Sequence, residues 1–271
     1  MKRQEKPISD KHRNQLEDAR AALAKCGKSP RQIAHESRLK VVDWIYRWGC
    51  TSSPLIQELL GKSSGGYAQK LTRQGWLVAT RTESGTPSHF FTLSEHGIQE
   101  AERHTMHLYR YPEVDPYRVS QQLLRHNLLA QQITANALLS GAIENYETER
   151  MFIEGKGQSH IKIPDVAWTS SSGLRIAVEV ELSAKWGRNL DDFVLNICTG
   201  LQRGNGKRAQ CDRFLIMSDS RAIIERYRMA MQPGTQVNIW AKNQRNHWVI
   251  DKTVTVPDWL IQKVDFKLLG E

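Results

Sequence analysis

The stretch that most constrains this chain is Ile163-Pro164-Asp165-Val166-Ala167-Trp168, a turn, and then Ala177-Val178-Glu179-Val180-Glu181-Leu182-Ser183-Ala184-Lys185. Alternation at period two commits the second run to a β-strand. Ala177, Glu179 and Glu181 then share one face, and Val178, Val180 and Leu182 the other. If residues 161–168 form the neighbouring strand of a hairpin, Asp165 is brought beside the two glutamates.

The surroundings extend this strand pair into a sheet. A long helix is expected over residues 117–140. After Gly141 come strands over 146–153, 161–168 and 175–182, a helix over 189–201, a strand over 213–217, a helix over 220–231 and a strand over 236–241. The order αβββαβαβ predicts a mixed α/β sandwich with helices on both sides of a central sheet.

Ahead of it the periodicity is different. Residues 15–25 form a weakly amphipathic stretch, and Gly27, Ser29 and Pro30 read as its stop signal. Leu39, Val41, Val42, Trp44, Ile45 and Trp48 recur at helical spacing up to Gly49, and Ser53-Pro54 opens a short helix that Gly61 ends. Ser63 or Ser64 can cap a third helix over 66–74, and residues 76–81 and 88–93 flank a turn as a β-hairpin. Helix, helix, helix, hairpin is the order of a winged helix-turn-helix. The chain therefore divides into a polar arm (1–35), a winged-helix domain (36–103), a proline-broken linker (104–116), an α/β domain (117–245) and a C-terminal extension (246–271).

Composition narrows the function classes. The 271 residues are 39% hydrophobic and 25% charged, as in globular proteins. No run approaches the ~18 apolar residues of a membrane span, and the polar start lacks a signal core, so a cytoplasmic protein without membrane insertion is expected. The four cysteines (Cys26, Cys50, Cys198, Cys211) have no zinc-finger spacing and read as ordinary thiols. A net charge of +9 favours a polyanionic partner. Residues 1–118 carry more of it, with 19 Lys and Arg against 13 Asp and Glu.

On the expected third helix, Tyr67, Gln69 and Lys70 stand near the start, where a recognition helix enters the major groove, and suit base contacts. Lys62, Arg73 and Arg81 are placed to hold phosphates. A solvated surface helix, or a winged helix used for protein contacts, is the plainer alternative. In the second domain Asp165, Glu179 and Glu181 offer hard oxygen donors to a divalent ion such as Mg2+ or Mn2+, and Lys185 stands just past the strand as a candidate to assist a nucleophile. Alternating Glu and Val is also what a strand with one solvated face looks like. His126 stands alone on its predicted helix and reads as packed or hydrogen-bonded.

The sequence of a long helix, a strand, a strand with Pro164-Asp165 and a strand with Glu179 and Glu181 followed by Lys185 resembles the PD-(D/E)xK, restriction-endonuclease-like nucleases. With the N-terminal winged helix, Arg125-His126-Asn127 and a strand bearing Glu149, the chain resembles plasmid mobilization relaxases of the MobC type over residues 38–245. The resemblance implies Asp165 and Glu179 as metal ligands, Glu181 as a further ligand or base, Lys185 as a displaced catalytic lysine and Glu149 as an outer residue supporting the ligands. The family pattern puts lysine two residues after Glu179, where this chain has Glu181. The implied activity is metal-dependent, strand-specific nicking of a plasmid transfer origin within a relaxosome, with an accessory protein and a coupling protein as partners. No His-hydrophobe-His motif accompanies a nucleophilic tyrosine, since His104 and His107 are spaced differently, so attack by a metal-activated water is the simplest chemistry. Two other functions stay open: a winged-helix accessory protein or transcriptional regulator without nuclease activity, and a restriction or repair nuclease.

Overall fold

The first helix begins where the sequence offers both a cap and a proline. Ser29 Oγ accepts from the Gln32 amide at 3.3 Å, and the Gln32 side chain accepts from the Ser29 amide at 2.7 Å, a reciprocal capping box. Pro30 occupies the first turn, where its missing N–H costs nothing. Ser29 and Pro30 thus start a helix, α1 (Pro30–Trp48). The amphipathic stretch 15–25 lies outside the described residues. The structure is a computed structural model that describes residues 27–62, 65–153, 163–202 and 210–270, and over them the protein is a mixed α+β fold.

Helix α1 buries Val41, Val42, Trp44, Ile45 and Tyr46 and ends at Gly49. There φ is 86°, a backbone conformation that favours glycine, and an added Cβ would lie 2.8 Å from the Arg150 guanidinium, which would have to shift. Strand β1 (Thr51–Ser52), α2 (Ser53–Leu59) and α3 (Tyr67–Arg73) follow, then β2 (Leu77–Arg81), β3 (His89–Leu93) and α4 (Glu95–His104). The strands form an antiparallel sheet of order β1-β3-β2. Ile45, Ile56, Leu71, Leu77, Phe91 and Leu93 make its core with the helices. Ser63 and Ser64, expected to cap α3, lie outside the described residues, and the helix opens from Gly66 at φ 94°.

Part of the segment 105–120 packs against this unit. Tyr109 and Tyr111 lie against Tyr46, and the Tyr111 hydroxyl donates to the Gly49 carbonyl while accepting from the Leu93 amide. Pro116–Arg118 is a 3-10 turn capped by Asp115, which delays the long helix α5 to Gln121–Leu139.

The second half continues with β4 (Ile143–Thr148), α6 (Glu149–Ile153), β5 (Val166–Ser170), β6 (Arg175–Val180), α7 (Gly187–Leu201), β7 (Arg213–Ser218), α8 (Arg221–Ala230), β8 (Gln236–Lys242), β9 (Trp248–Thr255) and β10 (Val264–Leu268). Among the described residues the main sheet runs β10-β7-β6-β5-β4; β4, β5 and β6 are antiparallel, while β6, β7 and β10 are parallel. One face packs Val166, Val178 and Val180 under Ala130 and Ile133 of α5. The other packs Ala177, Phe214 and Ile216 under Ile197 of α7 and Ile224 and Tyr227 of α8.

Three expectations change here. Glu149 begins a helix, its amide bonded to the Asp165 carbonyl at 3.3 Å, because the chain turns away from the sheet at Thr148. The strand expected over 161–168 starts only at Val166; Ile163 and Pro164 precede it, and residues 161–162 lie outside the described residues. Residues 236–241 do form a strand, but β8 pairs with β9 in a hairpin of its own, and the fifth place in the main sheet goes to β10 from the C-terminal extension.

The two halves share a core. Trp44 and Leu59 sit in the cluster under α5, the Trp44 indole donates to Gln131 Oε1 at 2.9 Å, and Gln131 Nε2 donates to the Cys50 carbonyl at 2.9 Å. Gln131 is fully buried, so both of its bonds replace water it has lost.

Candidate functional site

Pairing of Val166 with Val178 sets Asp165 just before the first rung of the β5–β6 ladder, next to the end of β6. Its Oδ2 accepts from the Val180 amide at 2.7 Å and lies 3.1 Å from His126 Nε2. The same nitrogen lies 2.9 Å from the Val180 carbonyl, so one imidazole of α5 clips the strand end and the carboxylate together. The hydrogen bond to Asp165 pushes the His126 imidazole up to about 9, against the opposing effect of burial. His126 is therefore cationic at neutral pH.

Glu179 and Glu181 are both buried. Glu181 stands just past the end of β6 but keeps the ladder going through its amide, which donates to the Met217 carbonyl at 2.8 Å. Its carboxylate forms an ion pair with Lys185 and accepts from the Tyr227 hydroxyl at 3.1 Å. A buried carboxylate costs several kcal/mol unless it is paired and hydrogen-bonded, and these two groups offset that cost. The Lys185 ammonium also lies 4.5 Å above the Phe193 ring. Burial first, and the charge of Glu181 second, raise the Tyr227 hydroxyl well above the usual tyrosine range, so it donates as a neutral phenol.

These groups line one cleft of about 450 Å³ at the C-terminal end of β6, with Asp165, Glu179, Glu181 and Lys185 on its wall and Arg125 and His126 of α5 facing them. Arg125 is largely exposed and pairs with Asp219 after β7. Parallel α/β strands commonly present ligands at their carboxyl ends, and β6 and β7 end here. Glu149 is not in this group. Its side chain is exposed on α6, and only its backbone reaches Asp165.

The donor chemistry of the cleft, carboxylate oxygens, fits a hard divalent ion. Among the described residues no three of His, Cys, Asp and Glu form a ready cage. Mg2+ does not need one, since it is commonly held by one or two carboxylates with water and phosphate completing the shell. Asp165 and Glu179 would be those two, while Glu181 is tied to Lys185 and Tyr227.

The expected nucleic-acid face lies on the other half. Gln69, Lys70 and Arg73 project from α3 into solvent while Ala68 and Leu71 face the core, and Arg81 is exposed at the end of β2. Lys62 sets its ammonium 3.7 Å over the Tyr67 ring and Lys70 lies 5.9 Å from the same ring. Partial burial and repulsion from Lys70 push the Lys62 amine down. Tyr67 is thus half covered by two cations.

Two partners of the acidic residues were not legible as such. His126 is hydrogen-bonded, as its isolated position on the helix implied, but its partner is Asp165. Tyr227 reaches Glu181 from α8, an element distant in sequence. Among the described residues no helix is long and apolar enough to cross a membrane. No family model, curated protein or solved structure matches this chain.

Proposed function

We propose that this chain is a metal-dependent DNA nickase of the plasmid mobilization relaxase kind, binding duplex DNA through a winged helix and cleaving one strand in the acidic cleft. The observation that carries the reading is the convergence of Asp165, Glu179, Glu181 and Lys185 on one cleft at the end of β6. The order α5, β4-β5-β6, α7, β7 supports a restriction-endonuclease-like domain of αβββαβ type. The order α1, β1, α2, α3, β2, β3 with sheet order β1-β3-β2 supports a winged helix in front of it.

Asp165 and Glu179 would hold Mg2+ or Mn2+, and the ion would supply charge neutralisation at the scissile phosphate and a more acidic attacking water. His126 fixes the direction of the Asp165 carboxylate by sharing its Nε2 proton between that group and the Val180 carbonyl. Lys185, on the cleft wall and tethered to Glu181, stabilises the phosphate charge, and Arg125 receives the flanking phosphate at the rim. On the other half, Tyr67, Gln69 and Lys70 read bases while Lys62, Arg73 and Arg81 hold the backbone. A transfer origin is the duplex, and an accessory protein and a coupling protein are the partners.

The test is conversion of supercoiled plasmid carrying the cognate transfer origin to open circle, with Mg2+ or Mn2+. Asp165→Ala and Glu179→Ala lose nicking and keep duplex binding by gel shift. A second reading, a DNA-binding accessory protein without nuclease activity, is favoured by one observation: Asp165 and Glu181 already carry cationic partners, His126 and Lys185. Plasmid left supercoiled by the parent protein, with duplex binding intact, would establish that second reading.

A further inference from the structure

The second half of the protein holds two exposed tryptophans, each with an arginine laid on its ring. Trp186 follows Lys185 directly and is 64% exposed, with the Arg226 guanidinium of α8 stacked over it at 2.9 Å from the ring centroid. Trp248, at the start of β9, is 46% exposed, and the Arg188 guanidinium lies 4.1 Å from its ring centroid, with the Lys242 ammonium at 5.4 Å. Trp186 stands at the N-cap position of α7 and Arg188 in its first turn, so one member of each stack lies at the same helix N-terminus. Both indoles face water, although each offers a large apolar area whose burial is favourable. The neighbouring Val249 and Ile250 of β9 are exposed as well.

We infer that Trp186 and Trp248 form a stacking track for single-stranded nucleic acid running across the N-terminus of α7 to the cleft. Every base has a π-face, so an indole stacks on any of them, and a cation beside each ring suits the phosphate that follows. The basic side chains of Arg226, Lys242 and Arg188, the last also paired with Asp192 at 3.4 Å, supply that charge, and the helix N-terminus adds its partial positive charge. A duplex cannot use the track in the same way, because its base faces are already stacked on their neighbours. The site lies on the opposite half of the molecule from α3 and handles a different form of the ligand: the unpaired strand instead of the recognition duplex. Its purpose rests on the nickase reading, in which an unpaired strand must reach Asp165 and Glu179, but its existence does not.

The test therefore excludes cleavage. In EDTA, anisotropy of a labelled 12-nucleotide oligothymidylate is titrated with the full chain, its Trp186→Ala, Trp186→Phe and Trp248→Ala variants, and with an oligouridylate arm to separate DNA from RNA. Base stacking on an aromatic side chain predicts a loss on the order of tenfold or more for each alanine variant, with Trp186→Phe retaining most of the affinity. Duplex binding through α3 stays at the parent level, and unchanged thermal melting shows the exposed indoles are not needed for folding. Alanine variants that bind as the parent does, or a parent that binds no oligonucleotide, overturn the track even if plasmid nicking is observed. Tight oligonucleotide binding lost in the alanine variants, with no nicking by the parent, leaves the track standing and overturns the nickase reading. Preference for oligouridylate alone would assign the track to RNA and remove its link to the cleft.

Discussion

His126 is the residue at which the candidate site responds to pH. Its imidazole rises from the ordinary 6.5 to about 9, chiefly through its hydrogen bond to Asp165. Because the folded value is raised, the protonated pair stabilises the fold fully below pH 6.5, and that contribution is lost as pH climbs through about 9. With the ring a quarter exposed, the effect is on the order of 1–2 kcal/mol after solvent screening. The metal-free parent should lose urea stability between these limits relative to His126→Gln, which keeps a donor but does not titrate; parallel pH profiles for the two proteins would refute the pairing. The same scale explains what the sequence could not show. Asp165, Glu179 and Glu181 were visible through strand alternation, whereas the partners that hold them arrive from α5 and α8.

At the scale of the element, α3 is the unit proposed to meet a duplex. Its pattern was legible because only Ala68 and Leu71 are needed inside, which leaves Gln69, Lys70 and Arg73 outward on a short helix. If α3 enters a groove, Arg73→Ala weakens duplex binding about equally across sequences and lowers the salt slope by about 1, while Gln69→Ala costs about 1–3 kcal/mol at one base position only. Fluorescence titrations over a salt series on cognate and scrambled duplexes separate these. Equal, salt-independent behaviour of both variants would show that α3 does not touch DNA. Helix starts were less legible than helix faces: the capping box of Ser29 with Gln32 opens α1 at Pro30, well ahead of the periodic run that begins at Leu39.

For the whole molecule, the decisive feature is that both halves and the C-terminal residues contribute to shared cores. Val256, Leu260 and Val264 are buried against α7, α8 and β7, and β10 completes the sheet edge beside β7. A chain cut after residue 245 would uncover these contacts and leave β7 as an open edge, a recognised aggregation hazard. We expect the truncated protein to be insoluble or to show no cooperative melting by circular dichroism; a truncated form that melts like the parent would mean that β9 and β10 are dispensable. Gln131 likewise bridges Trp44 and Cys50 across the two halves, which predicts one cooperative unfolding transition.

What the sequence determined by itself is what depends on near neighbours: the 3.6 and 2.0 periods that place Ile45, Leu71, Val178 and Val180 inside, the glycine stop at Gly49, the hairpin at residues 77–93, and the shared face of Ala177 and the acids after it. Only the tertiary structure decided that His126 clips Asp165, that Tyr227 satisfies Glu181, and that β10 and not β8 joins the sheet. The physical reason is the same in each case. Periodicity reports whether a residue faces a core, but which partner meets it there depends on burial and hydrogen-bond satisfaction summed over segments 40 to 60 residues apart or more, such as His126 with Val180 and Tyr227 with Glu181.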